Sequence, residues 1–191
     1  MPVLPILPLL AINAIFMMAL MLVAQSFASL DTLAALWPAL VHWPHQASNH
    51  LALATGILPL ILAAMLYFIP VLTRSNRQPP TALRLSPLAA WLAGLLMVLA
   101  FSGLLPLTAA SHPAFLLAGG CALAILLWSH RCARRTVGQP HPGLLWYQAA
   151  LLCLLLALLA IPLMSVWPAQ RAALRLFHVH LNLLGFVGLT A

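Results

Sequence analysis

The chain has 191 residues, of which 64% are hydrophobic and 5% charged, with a formal net charge of +7. Soluble domains carry roughly a quarter of their residues as Asp, Glu, Lys or Arg, so this chain lacks the polar groups to cover a surface in water and is expected to bury apolar surface in lipid. Its charge is eight arginines against Asp31, with no lysine. The arginines fall in short stretches between apolar runs, which fits membrane orientation and argues against nucleic acid as a partner.

The first apolar run, about 3–27, has no basic leader and is too long for a signal-peptide core, so a retained helix is expected. A connection follows with Trp37-Pro38 and Trp43-Pro44, residues suited to the headgroup level. Further helices are expected over about 49–73, 87–108, 113–128, 144–167 and 172–191. A span takes about 20 residues, so the fourth is short, and its Gly119-Gly120 pair suggests close packing on a neighbour. Pro59, Pro106 and Pro162 are expected to kink or shorten their helices. From Leu176 to Ala191 the last run offers 16 residues with no cap or polar tail, which suggests a truncated span in a fragment of a longer protein. The expected fold is all-α: a single domain over 1–191, a polytopic transmembrane helix bundle of about six spans.

Arg74, Arg77 and Arg84 fall between the second and third helices, and Arg131, Arg134 and Arg135 between the fourth and fifth. The positive-inside rule places these loops and the N-terminus in the cytoplasm, with Arg171 and Arg175 as a local exception outside. His42, His45, His50, His112, His178 and His180 then lie on the outer side; His130 and His141 are read as solvated loop residues on the inner side.

Histidine is costly in a bilayer, and this chain offers almost no carboxylate to pair with it. His50 opens the second helix and His178 and His180 the sixth, at similar depth. Imidazoles placed so on different helices suit the two axial positions of a haem, or copper. Residues 178 and 180 differ by about 200° around a helix, so only one can face such a site. His178 shares a stripe with Arg171, Arg175, Asn182 and Gly185, and His180 one with Leu184, Val187 and Ala191. The polar stripe favours His178; the His-Leu lettering shared with His50 favours His180.

Arg175, one turn before His178, needs an anion that the chain does not supply, such as a haem propionate or a lipid phosphate. His42 and His45 in a His-x-x-His pattern, with His50, form a weaker copper candidate, and His112 reads as a helix-end residue. Cys121, Cys132 and Cys153 form no Cys-x-x-Cys pair and read as small apolar residues and a free thiol. With Asp31 as the one acid, no paired carboxylates exist for acid–base work.

Two segments, HLALATGILPLILAAMLYFIPVLTRS at 50–75 and the terminal HVHLNLLGFVGLTA, resemble bacterial membrane proteins related to subunit I of haem–copper oxidases, and the NnrS-type haem–copper proteins of the nitric-oxide response. The match rests on His50, Tyr67, Pro70-Val71, His178, His180, Asn182 and Gly185. The resemblance implies a low-spin b-type haem with His50 as one axial ligand and His178 or His180 as the other. It implies electron transfer, nitric-oxide or oxygen chemistry, or metal handling, with membrane lipid and a redox partner or membrane complex as partners. No His-Pro-Glu-Val-Tyr segment and no His-His pair is present, so it does not extend to an oxygen-reducing centre. The competing expectation is a metal-free permease, assembly factor or structural accessory subunit, with the prolines marking broken helices around a substrate path.

Overall fold

The computed structural model describes residues 6–28, 45–75, 77–136 and 138–190. Six helices dominate it, and no strand occurs among the described residues. They are α1 (Ile6–Ala28), α2 (His45–Leu72), α3 (Ser86–Phe101, preceded by a single turn at Thr81–Arg84), α4 (Leu107–Ala133), α5 (Gly143–Val166) and α6 (Pro168–Thr190).

Four of them, α2, α4, α5 and α6, are long and apolar enough to cross a membrane. The other two of the six expected spans are shorter: the apolar part of α1 covers Leu7–Val23, and α3 has 16 residues. At 1.5 Å per residue α3 rises only roughly 24 Å, less than the ~30 Å of a hydrocarbon core.

Two boundaries depart from the sequence expectation for physical reasons. The third helix stops at Phe101 rather than near residue 108, because Gly103 adopts φ +77 and closes the end. Leu104 N–H bonds to Leu99 O at 2.9 Å and Gly103 N–H to Ala100 O at 3.1 Å, the paired bonds of a glycine-terminated helix. The fourth helix is not short: it starts at Leu107 and runs through Pro113 for 27 residues. Proline has a helical φ, and the carbonyl it would leave without a donor, at Ala109, lies at the exposed end of α4. His112 therefore sits within the second turn of α4, and Arg131 in its last turn rather than in a loop.

Prolines do not break α2 or α5 either; both continue through Pro59 and Pro162, while Pro106 stands just before α4. At Pro59 the reason is explicit. The residue has no N–H for the carbonyl of Thr55, four positions back. The helix widens to π geometry over Leu53–Ile57, with Leu58 N–H bonded to Leu53 O. Asn13, in the middle of α1, turns its Nδ2 onto Thr55 O at 2.7 Å. In hydrocarbon an unpaired carbonyl is costly, so Asn13 supplies the donor that Pro59 cannot. Thr55 Oγ1 in turn donates to Leu51 O.

Helices adjacent in sequence pack side by side, and the second half of α2 also reaches α4 and α5. The core gathers Leu62, Met65, Leu66 and Ile69 of α2, Ala90, Ala93 and Met97 of α3, Ile125 and Trp128 of α4, Leu151 and Leu154 of α5, and Phe186 of α6. Large apolar side chains such as Leu116, Leu127, Leu145 and Leu156 point outward, as expected of faces turned to lipid. Of the four long helices the last is the least covered: 6% of its most apolar window is buried, against 50% for α2, because it packs chiefly on α5.

Backbone approach is closest at glycines other than the expected pair. A Cβ on Gly94 of α3 would meet the Ala54 carbonyl carbon and oxygen at 2.7 Å, and one on Gly185 of α6 would meet Cys153 Cβ at 2.6 Å. At Gly119 the nearest atom is 3.9 Å away and at Gly120 none lies within 4 Å, so the Gly-Gly pair in α4 does not mediate close packing. Both tight contacts fall on π-helical stretches, Leu53–Ile57 and Leu181–Val187.

Candidate two-histidine site

The chain direction alternates, and side-chain contacts fix which ends meet. His50, in the second turn of α2, stacks on Phe101 at the end of α3, with ring centroids 4.8 Å apart and planes inclined by 46°. Ser111 and His112 near the start of α4 line a small recess with Pro162 and Ser165 near the end of α5. α6 starts where α5 finishes. The starts of α2, α4 and α6 thus share one end of the bundle, with His45, His50, His112, His178 and His180 there. His130, at the end of α4, and His141, whose N–H bonds to Leu72 O at 2.9 Å, lie at the other. The expected grouping holds for every described member; His42 lies outside the described residues.

Within this group two rings differ from the rest. His50 and His178 are half-buried, whereas His45, His112 and His180 are exposed. The His50 and His178 rings are also within electrostatic reach of one another, although they stand on helices that are not close neighbours. His50 Nδ1 lies 2.9 Å from Gln46 O. His178 Nδ1 lies 2.7 Å from Ala157 O, on the facing helix α5. A carbonyl can only accept, so each Nδ1 carries the proton and each Nε2 keeps its lone pair. Asn182 Nδ2 sits 3.3 Å from His178 Nε2 and 2.9 Å from His178 O, consistent with donation to both.

The geometry separates the two candidates on α6. His178 reaches across to α5, and below it Gly185 presses on Cys153. His180 bonds only to Leu176 O of its own helix, at 2.8 Å, and points outward. The polar stripe is thus the inward one from His178 to Gly185, while Arg171 and Arg175 at its upper end are exposed. The helix is π-wound over Leu181–Val187, and Val187, on the same stripe as His180, packs against the core.

The same geometry tests which metal group these residues suit. Among the described residues no group of three or more His, Cys, Asp and Glu stands close enough to hold a metal ion. The three-histidine copper candidate includes His42, which lies outside the described residues, so this absence does not bear on it. Two imidazoles on separate helices, each with Nδ1 tied to a carbonyl and a lone pair on Nε2, which on His178 also accepts from Asn182 Nδ2, are the kind of donor set that a bis-imidazole haem takes. Sequence reasoning found the histidines but not their partners: Phe101, Gln46 O and Ala157 O carry no compositional signal, since two of the three are backbone groups. Comparison with protein-family models, with curated proteins and with solved structures gives no match.

Proposed function

We propose that the protein is an integral membrane haem-binding protein of the haem–copper oxidase-like kind, in which His50 and His178 would hold a b-type haem. The observation that carries this reading is the pair itself: two half-buried imidazoles, from α2 and α6, at the same end of the bundle, each holding Nδ1 on a backbone carbonyl. Such second partners fix ring orientation and raise ligand basicity. Arg175, one turn before His178 and exposed, would meet a propionate. When bound, such a haem supplies a one-electron couple, which suits electron transfer or nitric-oxide chemistry in a bacterial inner membrane. The chain's own residues orient the ligand rings, exclude water with Phe101, and hold the tautomers.

The experiment is a reduced-minus-oxidised spectrum on the purified protein with iron and copper quantified per chain. A sharp α-band with stoichiometric haem is expected, lost in His50→Ala and in His178→Ala and kept in His180→Ala. Stoichiometric copper without haem, or neither, would exclude the reading; loss of the band in His180→Ala alone would move the second ligand.

A further inference from the structure

At the end of the bundle opposite His50 and His178 lies a half-open cavity of about 540 Å³. Its walls combine Arg77 from the stretch after α2, Arg131 from the last turn of α4, and Arg135 just beyond it. Its floor is apolar: Trp128 and Cys132, at 7% and 2% exposure. Arg131 and Arg135 are four apart and share a helix face. Arg77 and Arg135 both lie within electrostatic reach of the Cys132 thiol, so cations from two separate chain segments converge there.

Three guanidiniums in one space repel one another, and an anion is needed to offset them. The protein offers few. The chain's one carboxylate side chain is Asp31, in the connection between α1 and α2. Arg84, from the same stretch as Arg77, is engaged differently, donating Nε–H to Pro79 O at 2.9 Å.

We infer that this cavity binds the phosphate headgroup of an anionic phospholipid. Guanidinium forks match phosphate oxygens in pairs. The position, at the end of apolar helices with a tryptophan in the floor, is the level at which headgroups lie. Basic pockets between membrane helices take lipids of this kind, and three cations suit a lipid with two phosphates better than one. The inference does not depend on any haem at the other end.

The test uses the full chain, delipidated in mild detergent, with lipid retention read by native mass spectrometry. Cardiolipin and phosphatidylglycerol are expected to be retained at least tenfold over phosphatidylcholine. The combined Arg77→Gln, Arg131→Gln, Arg135→Gln variant, checked for unchanged helicity by circular dichroism, is expected to fall to the phosphatidylcholine level. Arg74→Gln with Arg134→Gln, which removes two exposed arginines outside the cavity lining, is expected to keep the preference. Equal retention by the triple variant, or an equal loss in the Arg74, Arg134 control, overturns the site. Displacement of the lipid by millimolar inorganic phosphate, with no preference between lipids, overturns the lipid as occupant and leaves a solute-phosphate site instead.

Discussion

Asn13 is a polar residue in the apolar middle of α1, and its value lies in what Pro59 lacks. Removing a partner from a buried carbonyl costs roughly 1–3 kcal/mol, so Asn13→Ala should lower unfolding stability in detergent by about that amount. Pro59→Ala restores an N–H to α2, so the same Asn13→Ala change in that background should cost less than about 0.5 kcal/mol. Additive losses in the double-mutant cycle would show that Asn13 acts through some other contact. A second residue, Asn182, holds both His178 O and Nε2. Asn182→Leu frees Nε2 of a competing donor but loosens the ring. On the two-histidine reading the haem is retained and its absorption and midpoint potential shift, whereas an unaltered spectrum would place Asn182 outside the site.

Elements meet where glycine lets them. Gly94 admits the Ala54 carbonyl at the π stretch of α2, and Gly185 admits Cys153 at the π stretch of α6. Adding a methyl group at Gly94 meets backbone, which cannot swing aside, so Gly94→Ala should destabilise by about 1–3 kcal/mol. Gly120→Ala, with nothing within 4 Å, should be neutral or stabilise by up to about 1 kcal/mol through helix propensity. Thermal unfolding of the two variants side by side checks the contrast; equal effects would mean that neither glycine is a contact point. The sequence signals read this level unevenly. Apolar run length located all six helices, and the polar stripe on α6 pointed to His178. The Gly-Gly pair in α4 was a stronger pattern than lone Gly94, yet close packing depends on the facing helix, which no local pattern encodes. The π stretches were invisible because one extra residue per turn leaves composition unchanged; Pro59 signalled a disturbance without saying that Asn13, 46 residues earlier, absorbs it. Gly103 after Ser102 was a legible stop signal for α3 that a reading by hydrophobicity alone passes over.

Across the bundle, most arginines gather at one end and most described histidines at the other, with His130 and His141 at the arginine end. Arg74, Arg77, Arg84, Arg131, Arg134 and Arg135 belong to the end where α2 and α4 finish, while Arg171 and Arg175 belong to the start of α6, with the histidines. Short arginine-bearing segments resist translocation, and the bias is summed over the loops rather than decided by one of them. Six against two therefore predicts that the arginine end stays in the cytoplasm and the histidine end faces outward. Single cysteines at Thr108 and Gln139, both exposed and at opposite ends, report this directly in a background with Cys121, Cys132 and Cys153 replaced by alanine. A membrane-impermeant maleimide added to intact cells should label the position-108 cysteine and spare the one at 139, with both labelled after permeabilisation. The reverse pattern would invert the protein. It would set the two-histidine end on the cytoplasmic side and would leave the arginine cavity facing the outer leaflet.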